Sequence, residues 1–191
     1  MTTAERTALK EWAVLVDAMS RGEIVAMVRK GGIREQRAGF AVRHERFLLY
    51  PTFFHEKHGE LASRFVATLD EVHATRPPAG MIRLEYVADV AGLWAVSDLE
   101  RLRAIEDEHG LAWSAVVSRF HYRDKPGVQV VAARVSRLRE AVLVPETRRY
   151  QGCVSWVELD ADVDVAGTTP VLADEALRAR VDRLNAALGA D

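Results

Sequence analysis

Residues 47–55 read Phe-Leu-Leu-Tyr-Pro-Thr-Phe-Phe-His. An unbroken apolar run stopped by proline describes a buried strand, because proline has no N–H to give to a ladder. The strand runs straight into a polar corner, Thr52 and then His55. Upstream, Arg29-Lys30-Gly31-Gly32-Ile33-Arg34-Glu35 bunches cations around a glycine pair. Two adjacent glycines admit positive φ and so a tight turn. Together the stretches predict a polar pocket at the rim of a β-structure.

The remaining pattern sets strands among helices. Thr2 and Glu5 have capping-box spacing, and Leu9, Trp12, Val16 and Met19 recur at helical intervals, so a helix is expected up to Ser20. Strands are expected at 24–28, 40–42 and 46–50, the last ended by Pro51. Leu61, Phe65, Leu69 and Val72 predict a helix that stops before Pro77-Pro78. Residues 81–90 alternate as a half-buried strand. Ser97 and Glu100 form a second capping box, and another helix is expected over 112–120. Val128 to Val135 reads as a central strand, with further strands at 142–144 and 154–159. These clusters imply an α+β fold: a curled, partly closed mixed sheet with flanking helices. Residues 1–160 form one expected domain, followed over 161–191 by an acidic loop and an amphipathic helix carrying Leu177, Val181, Leu184 and Leu188. That helix is expected to pack on the domain or to pair copies of the chain.

The chain has 191 residues, 49% of them apolar, enough to bury a core without disulfides or metals. Its formal charge is −2, so bulk electrostatics attract neither nucleic acid nor membrane, and any polyanion site must be a local basic patch. The single cysteine, Cys153, fits a reducing cytoplasm. No apolar signal core or membrane-length apolar run occurs.

Leu9-Lys10-Glu11-Trp12, Arg29-Lys30-Gly31-Gly32-Ile33, Phe47-Leu48-Leu49-Tyr50-Pro51-Thr52 and the Tyr150–Leu159 segment with Gly152, Cys153, Ser155 and Trp156 resemble, in that order, a bacterial family catalogued as domain of unknown function 1802. The resemblance spans roughly residues 8–159 and leaves the last helix outside. Association of some members with restriction-endonuclease-type domains implies a DNA-processing or defence setting. A looser resemblance, carried by Trp12, Gly22, Arg29 and the strand at 128–138, is to the PUA-like and ASCH group of small β-barrels. It implies a barrel-like sheet and a pocket for nucleic acid or a modified base.

Arg29, Lys30 and Arg34 can present cations to phosphate, or form a solvated turn paired with Glu35. His55 and His58 share a helical face but lack the further ligands a metal site needs. Asp/Glu-x-Lys, which a metal nuclease requires, does not follow Glu35 on the next strand. Cys153 has no assignable base and reads as a buried thiol. Trp113, Phe120, Tyr122 and Trp156, interleaved with Arg119, Arg123 and Lys125, can stack on bases or fill a core. The site expected on this reading has Arg29, Lys30, Arg34, Tyr50, Thr52 and His55 on one wall. Arg119, Tyr122, Arg123 and Trp156 form the other. The leading expectation is a binding module for nucleic acid or a nucleotide-like ligand, with no metal and no other cofactor. The alternatives are a hydrolase or phosphodiesterase using His55 or Glu35, and a scaffolding subunit that forms homo-oligomers through its last helix.

Overall fold

A computed structural model describes residues 3–30, 44–53, 58–152 and 154–189. Arg34, Glu35 and His55, the Gly31-Gly32 turn, the strand expected at 40–42 and Cys153 lie outside the described residues.

The first element departs from the sequence expectation. Ala4–Trp12 is a strand, β1, and the helix α1 begins only at Ala13 and runs to Ser20. Helical spacing of Leu9, Trp12, Val16 and Met19 spans that junction by coincidence. What decides is pairing: β1 lies between a parallel neighbour and an antiparallel one, so both edges are hydrogen-bonded. Its middle residues Thr7, Ala8 and Leu9 are all buried. A strand with both faces covered needs no apolar/polar alternation, which removes the usual signal.

β2 (Ala26–Arg29) and β3 (Arg46–Thr52) follow. β3 continues one residue past Pro51, contrary to expectation. Its pairing with β4 ends at Leu48, whereas pairing with β1 continues to Thr52, so Pro51 stands where one side of the strand carries no ladder. The expected helix before Pro77-Pro78 is split into α2 (Ser63–Val66) and α3 (Leu69–Ala74). β4 (Met81–Val96) and β5 (Val128–Pro145) are far longer than expected and pair antiparallel along their length. Register shifts between Leu84 and Tyr86 and between Val90 and Gly92 bend this ribbon, as β-bulges do. Between them come α4 (Leu99–Arg103) and α5 (Trp113–Phe120). Asp98, not Ser97, caps α4, its side chain accepting the Glu100 N–H at 3.0 Å. β6 (Trp156–Asp164), β7 (Thr169–Pro170) and α6 (Asp174–Leu188) close the chain. β6 crosses the expected domain boundary at 160.

The sheet runs β2-β5-β4-β3-β1-β6, with β7 on β5, and does not close on itself. It is mixed: β1 and β3 are parallel and the other pairs antiparallel. Parallel neighbours need a crossover, which α1 and β2 supply. Period-two alternation sends neighbouring residues to opposite faces. Leu9, Phe47, Leu49 and Ala88 join the larger cluster, with α1, α5 and α6. Ala8, Leu48, Tyr50 and Val87 join the smaller one, with Tyr150 and Leu159.

α6 spends its apolar face inside the chain. Leu177, Leu184 and Leu188 are buried, and Trp94 Nε1 donates to Asn185 Oδ1 at 3.1 Å. Buried Glu108 accepts from Arg180 Nε at 2.6 Å and from Arg183 Nη2 at 2.8 Å. The same face is therefore not displayed for pairing two copies.

A basic cavity as candidate functional site

The β1 C-terminus, the end of β2, the β3 corner, the Arg76–Ile82 segment, α5 and the loop after Tyr150 surround a cavity of about 1000 Å³. Six of the expected residues line it: Arg29, Lys30, Tyr50, Thr52, Arg119 and Tyr122. They come from three separate stretches of chain, 29–30, 50–52 and 119–122. Five cations (Lys10, Arg29, Lys30, Arg76 and Arg119) face two carboxylates, Glu11 and Glu146. The cavity is thus locally basic in a chain of charge −2.

Two expected residues lie elsewhere. Trp156 is not on the cavity wall. Its ring meets Phe47 edge-on at 5.2 Å and His44 at 5.3 Å, beside the larger core cluster. Arg123 is outside the lining as well, its guanidinium 5.3 Å above the Tyr122 ring. In return the structure adds Lys10, Glu11 and Trp12, which the helical reading of the first residues concealed, and Arg76, which no local pattern singled out. The available signal was that Lys10-Glu11-Trp12 already carried the family resemblance.

At the floor, Glu11 is only 4% exposed. Its Oε2 accepts from Arg29 Nη1 at 2.9 Å, and its Oε1 accepts the Trp12 N–H at 2.9 Å. Arg29 Nη1 also donates to the Lys10 carbonyl at 3.1 Å. Arg119 Nη1 donates to the Val28 carbonyl at 2.8 Å, and its guanidinium lies 5.1 Å from the Trp12 ring centre. Burial, more than neighbouring Arg29, lowers the Arg119 pKa, with Glu11 acting in the opposite direction. Arg119 is thereby held in a fixed, partly dehydrated position on an aromatic face.

Lys10 donates to the carbonyls of Tyr150 and Gly152 and stands 5.4 Å over the Tyr50 ring. Tyr50 is buried, and its hydroxyl donates to Glu146 Oε1 at 3.3 Å. Burial first, then Glu146, raises the Tyr50 pKa, so the phenol stays protonated. Thr52 Oγ1 donates to the Glu11 carbonyl at 3.3 Å. Phe53 closes one side, with the Arg76 guanidinium 4.8 Å above it and His73 edge-on at 5.7 Å. Among the described residues no three His, Cys, Asp or Glu side chains gather as a metal site would require. No described helix is long and apolar enough to cross a membrane.

The fold and cavity define a class: an α+β protein whose curled, open mixed sheet carries a basic, aromatic-lined cavity at one end. The chain belongs to the family described as domain of unknown function (DUF1802), whose model matches residues 8–183. That match takes in most of α6, which the motif resemblance had placed outside. A crystal structure of a ZmASCH mutant protein from Zymomonas mobilis is similar at a TM-score of 0.48 and 10% identity, over 95% of this chain and 98% of that one. No curated protein matches the chain.

Proposed function

We propose that the cavity binds an unpaired nucleobase with its phosphate, presented as a nucleotide or as part of a single strand. The observation that carries this reading is the convergence of five cations and four aromatic rings (Trp12, Tyr50, Phe53 and Tyr122) on one hollow. Cations suit phosphate oxygens, and rings or guanidinium planes suit a base face. A concave site of this size accepts a base only when it is outside a duplex stack. At about 1000 Å³ it sits at the upper end of the range for small-ligand clefts. Gln151, Ser118 and Ser155 also line the cavity, with polar side chains suited to a base edge or ribose.

Fluorescence anisotropy with labelled single- and double-stranded oligonucleotides at two salt concentrations tests the reading. Single strands are expected to bind more tightly than duplex and to weaken as salt rises. Absence of salt-sensitive binding to every form, together with no competition by mononucleotides, would refute it.

A further inference from the structure

Residues 121–126 are exposed without interruption, and Tyr122 in this loop forms one rim of the cavity at 42% exposure. Its ring is one of the few large apolar groups open to solvent among the described residues. The next two residues hold left-handed backbone: Arg123 at φ 58°, ψ 34° and Asp124 at φ 54°. Asp visits this region readily, whereas a long side chain such as Arg does so rarely. An exposed loop with few packing contacts does not keep such a conformation unaided.

The restraint comes from below. Gly127 N–H closes the neck of the loop on the Phe120 carbonyl at 3.1 Å. Lys30, reaching in from the end of β2, donates through Nζ to the carbonyls of Phe120 at 3.0 Å, Gly127 at 2.5 Å and Lys125. An ammonium has three protons, so three carbonyls use all of them. A cation so enclosed has no donor left for a phosphate.

We propose that residues 121–126 are a stacking flap, that Tyr122 is the ring that receives an unpaired base, and that Lys30 is a positioning residue for the flap rather than a ligand contact. This rests on the nucleic-acid reading of the cavity. The Arg123 guanidinium covers the Tyr122 ring at 5.3 Å, and the exposed remainder of the ring is left for the base.

The test is the salt dependence of binding to a labelled single-stranded oligonucleotide, for wild type, Lys30→Met, Tyr122→Ala, Tyr122→Phe and the Lys30→Met/Tyr122→Ala double variant. Lys30→Met is expected to weaken binding by about tenfold, as loss of one stacked base does. Its slope of log K against log salt should equal that of wild type. The double variant should bind no more weakly than Tyr122→Ala alone, and Tyr122→Phe should keep wild-type affinity. A slope reduced by about 0.7 in Lys30→Met, the loss of one single-strand phosphate contact, would overturn the assignment. So would additive effects in the double variant. Wild-type protein that binds no oligonucleotide would instead remove the reading of the cavity itself.

Discussion

Acidification should drain stability through one side chain, His109. It is 1% exposed, between the turn at Glu106–Glu108 and the isolated bridge of Leu111 with Leu61. Nδ1 accepts the Leu111 N–H at 3.2 Å, so the ring proton sits on Nε2, which finds no hydrogen-bond partner among the described residues. A second proton would have to enter on Nδ1 and break that bond. Burial, and then Arg64 and Arg119, push the pKa down from 6.5 to about 4, against a smaller opposing effect of Asp107. The folded value lies below the unfolded one, so the unfolded chain binds the proton first. The stabilisation is complete above about pH 6.5 and is lost as pH falls toward 4. The gap corresponds to about 3 kcal/mol when fully expressed, of which about 2 kcal/mol is gone by pH 5. Carboxylates titrate on the same acid limb, so a control is required. His109→Asn keeps an acceptor for the Leu111 N–H and does not titrate. Urea unfolding from pH 7.5 to 4.5 should show the stability difference, wild type minus variant, shrinking by roughly 2 kcal/mol. A difference that stays constant within about 0.5 kcal/mol would refute the reasoning, since it would mean that the imidazole is protonated equally easily in both states.

Three further outcomes follow from named contacts. Arg29→Ala leaves the buried Glu11 carboxylate without its cation and should cost about 3–5 kcal/mol in urea unfolding. Glu108→Ala removes the acceptor that Arg180 and Arg183 share and should lower stability by a similar ~3 kcal/mol, with helix α6 losing amide protection in hydrogen exchange ahead of the sheet. Arg76→Glu, on the exposed cavity rim over Phe53, should weaken single-strand binding by about tenfold and lower the salt slope by about 0.7, with Tm nearly unchanged.

Much of the architecture was already present in local pattern. Val128–Val135 is rich in β-branched valine, which reads as a central strand, and it forms the first half of β5. Leu177, Leu184 and Leu188 recur on one helical face, and those three are the buried residues of α6. Arg29, Lys30 and Arg119 were singled out because cations and rings cluster in the sequence around them, and all three line one cavity. β1 was not readable. A strand laddered on both edges and covered on both faces has no alternation, and its Leu9-to-Met19 spacing imitates a helix across the junction. With β1 read as helix, Lys10, Glu11 and Trp12 were assigned to no wall at all.

The amino-acid sequence by itself determined which residues could be strand, which helix face was apolar, and which side chains carried charge or rings; these are properties of neighbours a few positions apart. Only the tertiary structure decided that β3 returns beside β1 while β2 travels to the far end of the sheet. That crossover brings Lys10, Arg29, Arg76 and Arg119 to one hollow and leaves Trp156 on another side. It also decided how the cations are matched. Arg29 is matched by Glu11 and Lys30 by three carbonyls, pairings across 18 to 97 residues of chain that no local spacing encodes.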